Sequence, residues 1–242
     1  MTWYRKPLCG FDLETTGVDP ETSRIVTGCV VRYGGGQPTT ARSWISDAGG
    51  VEIPAEATAV HGWNTEAARS AGRPAPVVVE EIITALTEAA DAGLPLVVMN
   101  AAYDLTLLDR EARRYGITPL TDRAVLSVLD PRVLDKEVHR FRRGGRTLAD
   151  LCRHYVVPLA EAHTAEADAV AACAVTWKIA ARYPRLQGMS LEELYRAQRD
   201  WASEQAASLR DYFARTDGKE HLAAGVRLEW PLIPAPRAGG PW

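Results

Sequence analysis

Long apolar runs are scarce in this 242-residue chain. The longest, Leu94 to Ala102, is interrupted by Pro95 and Asn100 and falls well short of the roughly 20 residues that a membrane helix needs. The amino terminus, Met1 to Pro7, carries Arg5 and Lys6 and lacks the apolar core of a signal peptide. A cytoplasmic location is expected. Cysteine is sparse: Cys9, Cys29, Cys152 and Cys173 form no CxxC pair and stand among apolar neighbours. That predicts reduced core residues and speaks against a zinc site. Positive charge is not in excess either. A net charge of −3 counts against a protein that coats nucleic acid by neutralising phosphates, although an enzyme gripping only a strand end needs fewer such contacts.

What is present is ordinary globular material, 46% hydrophobic and 24% charged. Pro7 to Leu13 is a short apolar strand ending in acidic residues. Arg24 to Tyr33 is rich in β-branched side chains, and Thr39 to Ile45 follows it after the Gly34-Gly35-Gly36 turn, which predicts an antiparallel hairpin. Helical periodicity runs from Ala75 to Ala92 and stops at Gly93. Leu94 to Met99 reads as a buried strand, Tyr103 to Tyr115 as a helix, and Ala124 to Leu129 as a last strand. Thr147 to Tyr155 and Thr164 to Arg182 are helical. Such alternation predicts an α/β fold with helices on the faces of a sheet, made mixed by the initial hairpin.

After Pro184 the character changes. Ser190 and Glu193 form a capping-box signature, opening a helix that ends at Thr216-Asp217-Gly218; the remainder is proline-rich and extended. Residues 5–184 are expected to form the main domain and 185–242 a helical and extended C-terminal appendage. Its Trp201, Tyr212, Phe213, Trp230 and Trp242 would either anchor a partner or cover the domain's own apolar surface.

Three acidic segments carry the chemistry. Asp12 and Glu14 lie two apart where an apolar strand ends, so both point to one face. Two carboxylates held together repel unless a cation lies between them, and magnesium or manganese is the natural occupant. A solvated strand end is the plain alternative. Asp104 opens a helix after a buried strand, which the helix dipole favours with or without a ligand. Residues 163–168 read His-Thr-Ala-Glu-Ala-Asp. Five residues along one helix leave two side chains about 140° apart. His163 and Asp168 therefore share a site only if His163 precedes the helix and Asp168 sits on its second turn. Between the second and third segments, Arg132, Lys136, Arg140, Arg142, Arg143 and Arg146 with Gly144 and Gly145 read as a flexible basic loop able to track phosphates, or simply as a solvated one.

In order, Asp-x-Glu-Thr-Thr-Gly, an Asp opening a helix, and His-x-Ala-x-x-Asp resemble the DEDDh family of 3′→5′ exonucleases. That group includes the proofreading epsilon subunit of bacterial DNA polymerase III, ribonuclease T and oligoribonuclease. The resemblance spans roughly residues 5 to 182. It implies a ribonuclease-H-like fold, a mixed five-stranded sheet flanked by helices, and two divalent ions, Mg2+ or Mn2+, held by Asp12, Glu14, Asp104 and Asp168. His163 would be the general base on the attacking water. It further implies that Thr15, Thr16, Val60 and His61 border the terminal nucleotide, with Asn100 contacting substrate or positioning Asp104. The substrate would be the 3′ end of single-stranded or frayed DNA, in proofreading or repair and in association with a DNA polymerase. RNA or short oligoribonucleotides are the alternative substrate, and a non-catalytic binding module the alternative class. The oligomeric state stays open.

Overall fold

Alternation of apolar and polar residues makes Pro7–Thr15 the central strand, β1. It pairs antiparallel with β2 (Ile25–Gly34), and β2 pairs antiparallel with β3 (Thr40–Ile45). The hairpin predicted around Gly34-Gly35-Gly36 is present, and all three glycines have positive φ. The computed structural model describes residues 2–159 and 164–235. The short helices α1 (Ala55–His61) and α2 (Thr65–Ala71) follow, then the long α3 (Ala75–Asp91). Strand β4 (Leu96–Val97) runs parallel to β1 and leads into α4 (Ala101–Arg114) and α5 (Leu120–Arg123). Strand β5 (Val128–Leu129) completes a five-stranded sheet of order β3-β2-β1-β4-β5. The strands expected over 94–99 and 124–129 thus hold ladder positions for only two residues each.

Next come α6 (Pro131–Val138), α7 (Leu148–Tyr155), α8 (Ala165–Arg182) and α9 (Pro184–Gln187), and finally α10 (Leu191–Ala214) and α11 (Glu220–Ala223). Cores lie on both faces of the sheet. Phe11 and Leu13 pack with Ile82, Leu86 and Leu107 of α3 and α4. Leu8 and Val97 pack with Leu151, Val175 and Ile179 of α7 and α8, and with Leu194 and Trp201 of α10. Gly10 permits the close seating of α8, since a Cβ there would stand 2.7 Å from the Ala169 carbonyl oxygen and 2.8 Å from Cys173 Sγ. All four cysteines are free and buried. Burial pushes the Cys9 thiol up to about 12, so it stays protonated.

Helices α2 and α6 are not expected from the sequence. Each is eight residues or fewer, too short to display a full apolar period, and isolated helices of that length are unstable without tertiary support. The basic segment, expected as a flexible loop, is in part helix α6. Its Arg142 and Arg146 are committed to buried Asp135, through Arg142 Nη2 at 3.1 Å and Arg146 Nε at 2.7 Å.

The C-terminal segment packs on the sheet domain. Gln198, fully buried in α10, donates to the Val128 carbonyl at 3.0 Å and accepts from the Asp130 N–H at 2.9 Å. Beyond α11, the Ile233 N–H donates to Thr106 Oγ1 at 2.9 Å, and Arg110 Nη2 donates to the Ile233 carbonyl at 3.0 Å. Trp201 is buried and Phe213 half-buried, while Tyr212 is 52% exposed; Trp242 lies outside the described residues. Among the described residues, no helix is long and apolar enough to cross a membrane.

Candidate active site

Three elements converge at the C-terminal end of β1. Asp12 and Glu14, two apart, face α8, the helix that Gly10 seats against the strand. Thr164 caps α8 by accepting from the Ala167 N–H at 3.3 Å. Asp168 is therefore the fourth helical residue, on the first turn and not the second. The capped terminus fixes its distance from β1: one carboxylate oxygen from each of Asp12, Glu14 and Asp168 lies within 4.8 Å of the others. His163 lies outside the described residues.

Asp104 arrives from the other side. Strand β4 pairs with β1 only at Cys9 and Gly10, so beyond Gly10 the edge of β1 is open. The chain turns off at Asn100, whose φ of 60° is left-handed, and lays the first turn of α4 against that edge. The backbone N–H of Leu13 then bonds the Asp104 carboxyl. Asp104 is 5% exposed.

Four acids in one place alter each other's titration. Asp12 is held well above the usual carboxylate range, first by desolvation and then by the charges of Asp104, Asp168 and Glu14. Glu14 is pushed up to about 7 by burial and by Asp168. Asp104 is raised chiefly by burial, against the hydrogen bonds it receives. Among the described residues, no cationic side chain contributes to the shifts of Asp12 or Glu14. Such a set of like-charged oxygen ligands fits a hard divalent cation.

This has a consequence for stability. In the unfolded chain Glu14 titrates near 4.5, and in the metal-free fold near 7. Between those values the folded state holds more protons, so metal-free stability falls as pH rises through the window, by about 2 kcal/mol for Glu14 after allowing for solvent screening. Thermal melts of chelator-treated protein should show a lower Tm at about pH 8 than at about pH 5.5, and Mn2+ should reverse the drop by binding the ionised form. A metal-free Tm that rises over this range would contradict the site's electrostatics.

The surrounding residues fix the end of β1. Its register with β2 shifts between Glu14 and Thr15, and such irregularities re-aim side chains beside active sites. Thr15 Oγ1 and the Tyr103 hydroxyl are 2.6 Å apart, and Tyr103 also bonds the Gly17 carbonyl. This ties the first turn of α4 to the loop after β1. Arg110 clamps the same loop through both oxygens of Glu21, at 2.7 and 2.8 Å. Thr16 is buried, its hydroxyl accepting from the Arg24 N–H at 2.9 Å. His61 Nδ1 accepts from the Trp63 N–H at 3.1 Å, which leaves the proton on Nε2, 3.2 Å from the Thr15 carbonyl. Burial lowers the His61 pKa, so the ring is neutral near pH 7. Val60 is 53% exposed beside it.

A groove of about 640 Å³, lined by Glu14, His61, Trp63, Thr164 and Glu166 among others, opens next to the acids. Asn100 stands apart from that groove, exposed, with its Oδ1 accepting from Arg132 Nη1 at 3.0 Å. Sequence reasoning missed Tyr103, Trp63 and Asp130. The buried Asp130 carboxylate accepts from the N–H of Ala101 at 3.0 Å and of Arg132 at 2.9 Å, and so pins the start of the helix that carries Asp104. A short polar residue before Pro131 was the available signal, since Asp at such a position caps helices.

A mixed five-stranded sheet flanked by helices, with a carboxylate cluster at the end of its central strand, defines a ribonuclease-H-like nuclease fold. The model of the exonuclease family RNase_T matches residues 9–176, and the chain belongs to that family of 3′→5′ exonucleases, in agreement with its DEDDh motifs. Among solved structures it is similar to Escherichia coli exonuclease I in a zinc-bound complex with single-stranded DNA, at 18% identity and TM-score 0.62, over 75% of this chain and 42% of that one. It is also similar to exonuclease I from Methylocaldum szegediense, at 21% identity and TM-score 0.61, over 86% of this chain and 46% of that one. The chain spans less than half the length of either protein. No curated protein matches it in sequence.

Proposed function

We propose that this protein removes nucleotides from the 3′ end of single-stranded DNA, releasing nucleoside 5′-monophosphates, with two divalent cations, Mg2+ or Mn2+, at its acidic cluster. The observation that carries this reading is the convergence of Asp12, Glu14 and Asp168 within 4.8 Å, with Asp104 coupled to them electrostatically. Asp12, Glu14 and Asp168 would hold one cation; Asp12, supported by Asp104, would hold the second. When bound, such cations lower the pKa of the attacking water and stabilise the charge on the leaving oxygen.

The chain's own groups do the rest. His163, as the resemblance implies, takes the proton of the attacking water, a task to which an imidazole is chemically suited. Neutral His61 holds the Thr15 carbonyl and, with Val60 and Trp63, borders the terminal nucleotide in the adjoining groove. Thr15 and Thr16 shape the turn that meets the terminal sugar. Asn100, at the start of the helix that carries Asp104, contacts substrate or positions Asp104. DNA is favoured over RNA because the similar exonuclease I from E. coli was solved with DNA oligonucleotides. A role in proofreading or repair, and association with a DNA polymerase, belong to the same reading.

The test is digestion of 5′-labelled single-stranded DNA and its RNA counterpart with Mg2+, Mn2+ or chelator, beside an Asp12→Asn control. A metal-dependent ladder shortening from the 3′ end, longer on DNA and absent in the control, is expected. Cleavage that survives chelation, or no ladder on either strand, would refute the reading.

A further inference from the structure

A second groove, of about 510 Å³, runs between α6, α10 and the segment after α11. It begins at Asn100 and Ala102, which open the helix carrying Asp104. Asn100 is the N-cap residue of that helix, one turn before Asp104, so this end of the groove lies near the acidic cluster, and the groove shares no lining residue with the His61–Trp63 groove. Arg132, Lys136 and Arg227 line it, together with Phe213 and Trp230.

The structure divides the basic segment into two sets. Arg142 and Arg146 are neutralised by Asp135. Arg132 bonds the uncharged amide oxygen of Asn100, and neither Arg132, Lys136 nor Arg227 forms an ion pair among the described residues. Lys136 is pushed below the usual lysine range, first by burial and then by repulsion from Arg146, Arg132 and Arg140. The opposing charges at the groove are Asp130, engaged by the backbone N–H groups of Ala101 and Arg132, and exposed Glu229, which accepts from the Leu228 N–H. Three cations face two acids here, Arg132 lies in the field of Asp130, and Lys136 and Arg227 form no ion pair among the described residues, an excess of positive charge that fits a polyanion. The half-buried Phe213 beside them fits one whose bases are unpaired.

We propose that this groove is the path of the single strand upstream of its terminal nucleotide, with Arg132, Lys136 and Arg227 contacting phosphates and Phe213 stacking on a base, while Trp230, packed on Tyr195, forms the floor. The path rests on the exonuclease reading above. It also assigns a role to the C-terminal segment: α10 and the chain after α11 supply one wall of the groove, so this segment extends the grip beyond the nucleotide being cut.

The test uses a Lys136→Glu/Arg227→Glu double variant of the full chain, with unchanged circular dichroism as the folding control. Fluorescence anisotropy with a labelled oligodeoxynucleotide of about 20 residues in Ca2+ reads affinity against salt. A loss of about tenfold or more is expected, with the log–log salt slope flattened by about 1.4, or 0.7 for each lost phosphate contact. The ratio of kcat/KM on the long oligonucleotide to that on a dinucleotide should fall by a similar factor, because a dinucleotide is too short to enter the groove. Phe213→Ala should weaken binding without changing the slope. Unchanged affinity and slope in the double variant, or equal losses on both substrate lengths, would overturn the path. If the wild type cuts neither substrate, the exonuclease reading falls, while the anisotropy experiment still decides whether the groove binds the strand.

Discussion

Asp12→Asn is expected to lower kcat/KM on single-stranded DNA by about 10³-fold or more, equivalent to about 4 kcal/mol of lost transition-state stabilisation, while raising the stability of the metal-free protein. The two effects share a cause. Asp12 is desolvated and faces three other carboxyl groups, all of which push its pKa up. An amide of the same shape relieves that repulsion but supplies no charge to a cation. The gain should therefore be largest at about pH 8, where ionising the wild-type cluster costs most, and should shrink towards about pH 5. Functional sites commonly trade stability in this way. Activity assays and thermal melts of the chelated proteins test both halves. A variant with activity within tenfold of wild type, or a lower Tm at the higher pH, would show that Asp12 is not the centre of the cluster.

The largest loss of stability is expected away from the chemistry, at Asp135. Its carboxylate is completely buried. One oxygen accepts from the Tyr155 hydroxyl at 2.8 Å; the other accepts from Arg142 Nε and Nη2 at 3.2 and 3.1 Å and from Arg146 Nε at 2.7 Å. Both arginines are themselves largely buried, at 7% and 16% side-chain exposure. Asp135→Ala would leave two guanidinium groups and a hydroxyl without their acceptor. Breaking a buried pair from one side typically costs about 3–5 kcal/mol. Denaturant unfolding should show that loss, with Asp135→Asn intermediate because it keeps the volume and one acceptor. A cost below about 1 kcal/mol would mean that water reaches the arginines and replaces the carboxylate.

Asp135 also shows where local reading stops. As a string, residues 132–146 are a run of cations with two glycines, and the run looks like a loop. One of its two acids, Asp135, is swallowed by the core; it turns part of the run into structure and leaves another part facing a groove. Nothing within the segment reveals which arginine does which, because the acceptor sits in a helix packed on α8 and α10 and bonds Tyr155 of α7, elements further along the chain. The short helices α2 and α6 are hidden for a related reason. Their stability comes from caps such as Asn64 and Asp130 and from what they pack on, not from any period of their own.

By itself, the sequence determined the α/β class, the hairpin around three glycines and the shared face of Asp12 and Glu14, while Asp104 and Asp168 entered through the family resemblance. Those features depend on short-range rules: alternation along a strand, positive φ at glycine, carboxylates two apart on one face. Only the tertiary structure decided how the acids meet. Asp168 reaches Asp12 because Gly10 lets α8 settle onto β1, and Asp104 reaches them because β4 stops pairing and frees an edge for α4. Packing likewise decided the place of the C-terminal segment. Gln198 is an ordinary polar residue in the sequence, and it becomes a buried link between α10 and β5 only when 70 residues of separation from Val128 are closed. Contacts made across such distances depend on the shape of the whole core, which no local window of residues encodes.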